Sequence, residues 1–171
     1  MKKYTIALVC LICIQADARV GSIKEVDLPE TQVIAVKTAN GGPPAYAAAF
    51  GKLVGYYAQP TTSVKVVFPQ RSVTINGASY AAVAVSSPPA NLPVGVELLA
   101  LPSCHFLSAR YTGNYDGLGP SIEAIVNVAI GKKFKINQSC GVRIHHLNSP
   151  DNTPIDKLEH VLYVPVARAK T

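Results

Sequence analysis

Tryptophan is absent from this 171-residue chain, methionine occurs once and phenylalanine four times, so eight tyrosines are the main aromatic supply. Acidic residues are also scarce, 10 against 16 lysines and arginines, which leaves a formal charge of +6 at pH 7. That excess is dispersed. Its only dense group, Lys132-Lys133-Phe134-Lys135, falls at the end of a predicted helix, where lysines complement the dipole and the free carbonyls. No nucleic-acid partner is expected from it. No apolar run reaches the roughly 20 residues needed to span a bilayer, so stable membrane insertion is not expected. Of the histidines, His105, His145, His146 and His160, no two stand four apart as on a zinc-binding helix. His145 and His146 alternate across a strand and cannot act together there. Asn40-Gly41-Gly42 is a turn without phosphate-loop context. Neither a metal nor a cofactor is expected.

What is present begins with a targeting pattern. Met1-Lys2-Lys3 is basic, Ile6 to Ile14 is almost wholly apolar, and Ala16-Asp17-Ala18 ends in a small-x-small motif. Residues 1–18 therefore read as a signal peptide, and 19–171 as one exported domain, periplasmic or secreted. Cys10 and Cys13 lie in the apolar core and would leave with it. Cys104 and Cys140 remain as candidates for one disulfide, with two buried free thiols as the alternative. Such a bond closes a loop of about 36 residues, worth about 3–4 kcal/mol in the chain-entropy view.

Gln32–Thr38 is short, β-branched and ended by a glycine turn, which predicts a strand. Pro43 or Pro44 then starts a helix reaching about Ala58, with Tyr46, Phe50, Leu53 and Tyr57 as its apolar stripe. Short strands follow at 63–68, 71–75, 80–85 and 94–101, with a turn at Asn76-Gly77. The second half repeats this order: a strand at 105–112, a helix from about 119 to 133, then strands at 142–147 and 160–166. Ile122, Ile125, Val126 and Ala129 mark the face of its helix. Ser87-Pro88 with Pro93 parallels Ser149-Pro150 with Pro154, and Leu101-Pro102 parallels Val164-Pro165. The pattern implies an α+β domain of two copies, about 24–101 and 102–167, with helices on an antiparallel sheet. A seam between copies is where a small ligand would sit.

Leu101-Pro102, Tyr111-Thr112-Gly113-Asn114-Tyr115, Asn148-Ser149-Pro150-Asp151 and the closing Leu162-Tyr163-Val164-Pro165-Val166 together resemble the GyrI-like domains. These are the small-molecule-binding modules also fused to some bacterial transcription activators. The resemblance covers about residues 24–167. It implies two strand-helix-strand-strand units sharing a curved sheet, with a ligand cleft between them. Family members carry an acid just before the apolar-aromatic-apolar-proline segment. Here that position is Val161, and Glu159, two residues earlier, is the candidate substitute or else a solvated strand edge. The export pattern leaves no room for a DNA-binding region before the module, so the regulator role is not expected.

Three functions follow as expectations. The leading one is binding of an apolar or aromatic compound, including a cationic one, with Tyr111, Tyr163, Tyr46 and Glu159 lining the cleft. The second, implied by the resemblance, is hydrolysis of electrophilic small molecules with Glu159 or Glu97 as base. Glu97 is singled out because, counted back from Pro102, it matches His160 counted back from Pro165; a solvated sheet face explains it equally. The third is a protein partner, met by an edge strand or by the small residues Ala45, Ala47, Ala48, Ala49 and Gly51.

Overall fold

The computed structural model describes residues 19–40, 42–60 and 62–168. The predicted signal segment, 1–18, lies outside them. Two short strands, β1 (Arg19–Val20) and β2 (Lys24–Leu28), lead into β3 (Thr31–Lys37), helix α1 (Pro43–Tyr57), β4 (Val66–Ile75), β5 (Ala78–Val85) and β6 (Glu97–Leu101). The chain continues through β7 (Cys104–Thr112), helix α2 (Leu118–Gly131), β8 (Phe134–Ile136), β9 (Val142–His146) and β10 (Glu159–Arg168). All pairings among them are antiparallel, and the strands form one strongly curled sheet, a half-barrel. Its order is β1-β7-β10-β9-β4-β5-β3-β6, with β2 also on β7 and β8 on β10.

Outward from the central pair β4–β9, each side reads alike: β5 then β3 on one, β10 then β7 on the other. The duplicated unit is thus strand-helix-strand-strand, β3-α1-β4-β5 answered by β7-α2-β9-β10. The outermost strands are exchanged. β2 precedes β3 in sequence yet pairs with β7, and β6 precedes β7 yet pairs with β3. This has a consequence for Glu97: the strand in the place of β10 is β5, so Glu97 on β6 is not the counterpart of His160.

The helices follow from their periodicity. Prolines at the first positions of α1 suit a turn whose amides are unpaired anyway. Its residues Ala49 and Leu53 are buried against Ile34 and Val36 of β3 and Ala81, Val83 and Val85 of β5. On α2, Ile125 and Ala129 are buried against Leu107, Ala109 and Tyr111 of β7 and Leu162, Val164 and Val166 of β10. Lys132 follows the helix and Lys133 has left-handed backbone, so both lie just past the last turn. The other face of the sheet curls around Val33, Ala35, Val73, Ala82, Ala84 and Leu101.

β4 begins at Val66 and joins the end of the strand expected at 63–68 to the one expected at 71–75, with a register shift between Val67 and Gln70 that accommodates Pro69. Asn76 and Gly77, both at positive φ, close the β4–β5 hairpin, the backbone that a two-residue turn needs. β1, β2 and β8 were not foreseen; within Lys24–Leu28 charged and apolar residues alternate only from Glu25, too briefly to announce a strand. Cys104, at the start of β7, and Cys140, in the turn before β9, are joined as a disulfide with Cα atoms 6.2 Å apart.

Candidate functional site

Each helix covers the outer strands of its own half, and neither covers β4 and β9. The uncovered pair is the floor of a cavity of about 990 Å³ walled by α1 on one side and by the start of α2 on the other. Tyr46, Phe50 and Val54 face it from α1, and Tyr115, Leu118 and Ile122 from the other wall. The floor is more polar: Gln70, Ser72 and Thr74 from alternate positions of β4, with Ile144 and His146 from β9. Asn148 to Asp151 form a rim, where Ser149 Oγ donates to Asp151 Oδ2 at 2.9 Å.

A row of polar side chains crosses this floor. On the register Gln70↔His146, Ser72 lies diagonally across from His146, and His160 of β10 lies directly opposite it. Ser72 Oγ is 2.8 Å from His146 Nε2, and His146 Nδ1 is 2.9 Å from His160 Nδ1. Phe50 and Tyr115 set their rings edge-on to His146, and Tyr111 stacks on His160 with centroids 5.9 Å apart. Burial pushes His146 down to about 3, helped by His160 and His145. Burial also lowers His160, against the Gly113 backbone, which favours its protonated form. Both rings are therefore neutral near pH 7, and one proton lies between the facing Nδ1 atoms. His160 Nε2 is buried without a partner at full hydrogen-bond geometry. With the shared proton on His146, His160 Nδ1 accepts from His146 Nδ1–H and His146 Nε2 accepts from the Ser72 hydroxyl.

The residues singled out from sequence are dispersed. Tyr46 lines the cleft. Tyr111 is 3% exposed and lies beneath it, its hydroxyl donating to the Asn114 carbonyl at 2.9 Å. Its ring fills the space where side chains at Gly113 and Gly117 would stand. Tyr163 points to the opposite face of β10, against His145 and Phe106, and borders a smaller cavity of about 450 Å³ with Val161 and Arg110. Glu159 shares that alternation; its carboxylate is exposed and 3.8 Å from Arg110 Nη1. Glu97 is exposed on the outermost strand β6 and lines neither cavity. Phe50, Ser72, Tyr115, His146 and His160 were not foreseen as a group. The parity of Gln70, Ser72 and Thr74 was readable, but which strand lay beside them was not.

Among the described residues no cluster of three or more His, Cys, Asp or Glu is arranged to hold a metal, and no helix is long and apolar enough to cross a membrane. On the opposite face Arg143 is buried. Its guanidinium donates to the Pro102 carbonyl at 2.7 Å and lies 4.8 Å from the Phe106 ring centroid. Burial and the charge of Arg71 hold it down to about 10.

The paired strand-helix-strand-strand units, curled sheet and inter-repeat cleft decide the architecture. This is the GyrI-like fold. The EcmrR C-terminal domain superposes on it with a TM-score of 0.71 at 12% identity, over 86% of this chain and 98% of that one. EcmrR in complex with DNA gives the same TM-score at 14% identity over 86% of this chain, which spans only 58% of the longer EcmrR chain. SAV2435 bound to tetraphenylphosphonium matches with a TM-score of 0.60 and 12% identity, over 85% of this chain and 94% of that one. No family model matches the sequence, and no curated protein matches it. The likeness is one of GyrI-like fold. It also corrects the expectation of an exported protein: EcmrR carries this fold while bound to DNA, a partner found inside cells, so the signal, periplasmic and secreted assignments are withdrawn.

Proposed function

We propose that the inter-repeat cleft binds an apolar or aromatic small molecule, cations included. The observation that carries this reading is the uncovered β4–β9 floor, which leaves a cavity of about 990 Å³ between two aromatic-bearing walls. That volume suits a drug-sized ligand. Tyr46, Phe50 and Tyr115 offer ring faces and edges to a flat or multi-ring compound, and to a cation over a ring. Gln70, Ser72 and His146 supply the few polar contacts that fix orientation. Since the floor imidazole, His146, is neutral near pH 7, it does not repel a cation. SAV2435 holds tetraphenylphosphonium in a protein of this fold, which supports the same ligand class here.

Calorimetry with tetraphenylphosphonium and with neutral triphenylphosphine oxide tests the reading. Saturable binding of at least one is expected. Tyr46→Ala or Phe50→Ala should weaken it by about tenfold, or ~1.4 kcal/mol. Tyr163→Ala, on the opposite face of the sheet, should change it by less than about twofold. Equal losses in all three variants, or no saturation with the folded wild type, would refute the assignment to this cleft.

A further inference from the structure

The cleft floor holds more than a recognition surface. Ser72, His146 and His160 stand in line on three neighbouring strands, with successive contacts of 2.8 and 2.9 Å. Ser72 and His146 border the cavity, while His160 is wholly buried behind them. A hydroxyl bonded to an imidazole whose other nitrogen is held by a third group is the arrangement that activates a serine. A row of polar side chains is a costly way to build a floor unless every member is satisfied. Here the far end of the row, His160 Nε2, is buried without a partner at full hydrogen-bond geometry.

We propose that Ser72 is a nucleophile that accepts acyl groups from activated aryl esters held in the cleft, with His146 as its base and His160 as the positioning residue for His146. The proposal rests on the binding reading above, since the aromatic walls hold the aryl group. In the first half-reaction Ser72 Oγ attacks the ester carbonyl carbon and its proton passes to His146 Nε2. The tetrahedral intermediate collapses, the carbonyl carbon–aryl oxygen bond breaks, and the departing oxygen takes the proton from His146. In the second, water adds to the acyl-Ser72 carbonyl and gives a proton to His146 Nε2. Ser72 Oγ recovers that proton as a carboxylic acid leaves. His160 Nδ1 accepts from His146 Nδ1–H throughout and keeps Nε2 directed at Ser72. Gln70 and Thr74 flank Ser72 on the same face of β4, with Gln70 donating to the Tyr57 hydroxyl and Thr74 bonded to the Ser79 hydroxyl.

The substrate class follows from the base. His146 is buried, and with a neutral imidazole behind it in place of a carboxylate it carries positive charge reluctantly. It is neutral and ready to accept near pH 7, but weak. So weak a base activates Ser72 only slightly, so the ester carbonyl must itself be strongly electrophilic, as it is in an aryl ester.

The test uses the full chain and 4-nitrophenyl acetate. A burst of 4-nitrophenol is expected, with an acetyl group on the Ser72 peptide in the wild-type digest. That map decides the point without any variant. Ser72→Ala should abolish the burst, and His146→Gln should slow it by about 100-fold or more. His160→Phe should slow it about tenfold, with partial recovery in His160→Asn, which restores an acceptor; a purely packing role for His160 predicts the reverse order. Acetylation confined to lysines, tyrosines or the amino terminus, or a burst unchanged in Ser72→Ala, would overturn the proposal. Saturable tetraphenylphosphonium binding without Ser72 acylation would overturn the nucleophile and leave the binding reading standing. Ser72 acylation without saturable binding would support the nucleophile and refute that reading instead. Neither result appearing would overturn both.

Discussion

At the scale of single residues, burial decides protonation. His145 and His146 are both held down to about 3 from an ordinary 6.5, chiefly by desolvation, with the Arg71 and Arg143 charges adding to the effect on His145. In the unfolded chain each takes a proton as pH falls through about 6.5, while the native rings stay neutral. The native state then binds fewer protons, so the stability tied to these rings is complete above about 6.5 and declines as pH falls toward 3. The slope is at most ~1.4 kcal/mol per pH unit for each ring. Urea midpoints measured at pH 7.5, 6 and 5 should fall in that order, and less steeply in His146→Asn. A midpoint that rose on acidification would contradict this account. Tyr111 supplies a second residue-scale test. A Cβ at Gly117 would overlap its hydroxyl, whereas one at Gly119 meets nothing within 4 Å. Gly117→Ala should cost about 1–3 kcal/mol through overpacking, and Gly119→Ala should be neutral or slightly stabilising. Thermal unfolding of the two variants compares them directly.

Among the elements, the two helices do the same work in different halves. Leu53 is wholly buried between α1 and the β3–β5 pair, so Leu53→Ala should cost about 2–5 kcal/mol. Ile130 lies on the outer side of α2 at 61% exposure, and Ile130→Ala should stay within about 0.5 kcal/mol. Denaturant unfolding with the slope held constant separates the two. The Cys104–Cys140 bond ties the start of β7 to the turn that launches β9, two elements 36 residues apart in sequence. Its reduction should lower stability by about 2–4 kcal/mol, read as a loss of midpoint in dithiothreitol that the Cys104→Ser and Cys140→Ser double variant reproduces. Element prediction succeeded where periodicity was long. The α1 stripe and the Asn76-Gly77 turn were legible because both signals are local. β8 and the first two strands were not, because runs of two to five residues also suit a loop.

For the molecule as a whole, the exchange of β2 and β6 stitches the halves together, and the cleft depends on both halves keeping their relation. A ligand that bridges α1 and the start of α2 binds the folded state alone and should raise the unfolding temperature in step with its concentration. Tetraphenylphosphonium at about 100 times its dissociation constant should add ~2.7 kcal/mol, and Phe50→Ala should shift the whole titration to higher concentration. A thermal-shift series in both proteins reads this out, and a shift of equal size at equal concentration in Phe50→Ala would count against the cleft.

What the sequence determined by itself was local order and its duplication. Alternating Val, Ile and Ala made strands, three-and-four spacing made helices, and the same succession came twice, which was enough for an α+β domain with a seam. What occupies that seam was decided by tertiary structure. Ser72 and His146 are 74 residues apart, and His146 and His160 are 14 apart. They meet because burying the apolar faces of α1 and α2 on the outer strands leaves β4 and β9 side by side. The same alternation that brings His160 to the floor turns Glu159, Val161 and Tyr163 away from it, and the glycine turn after β7 draws Tyr111 into the core. Periodicity along a chain specifies which face a side chain takes. Only the choice of neighbouring strand specifies what that face meets.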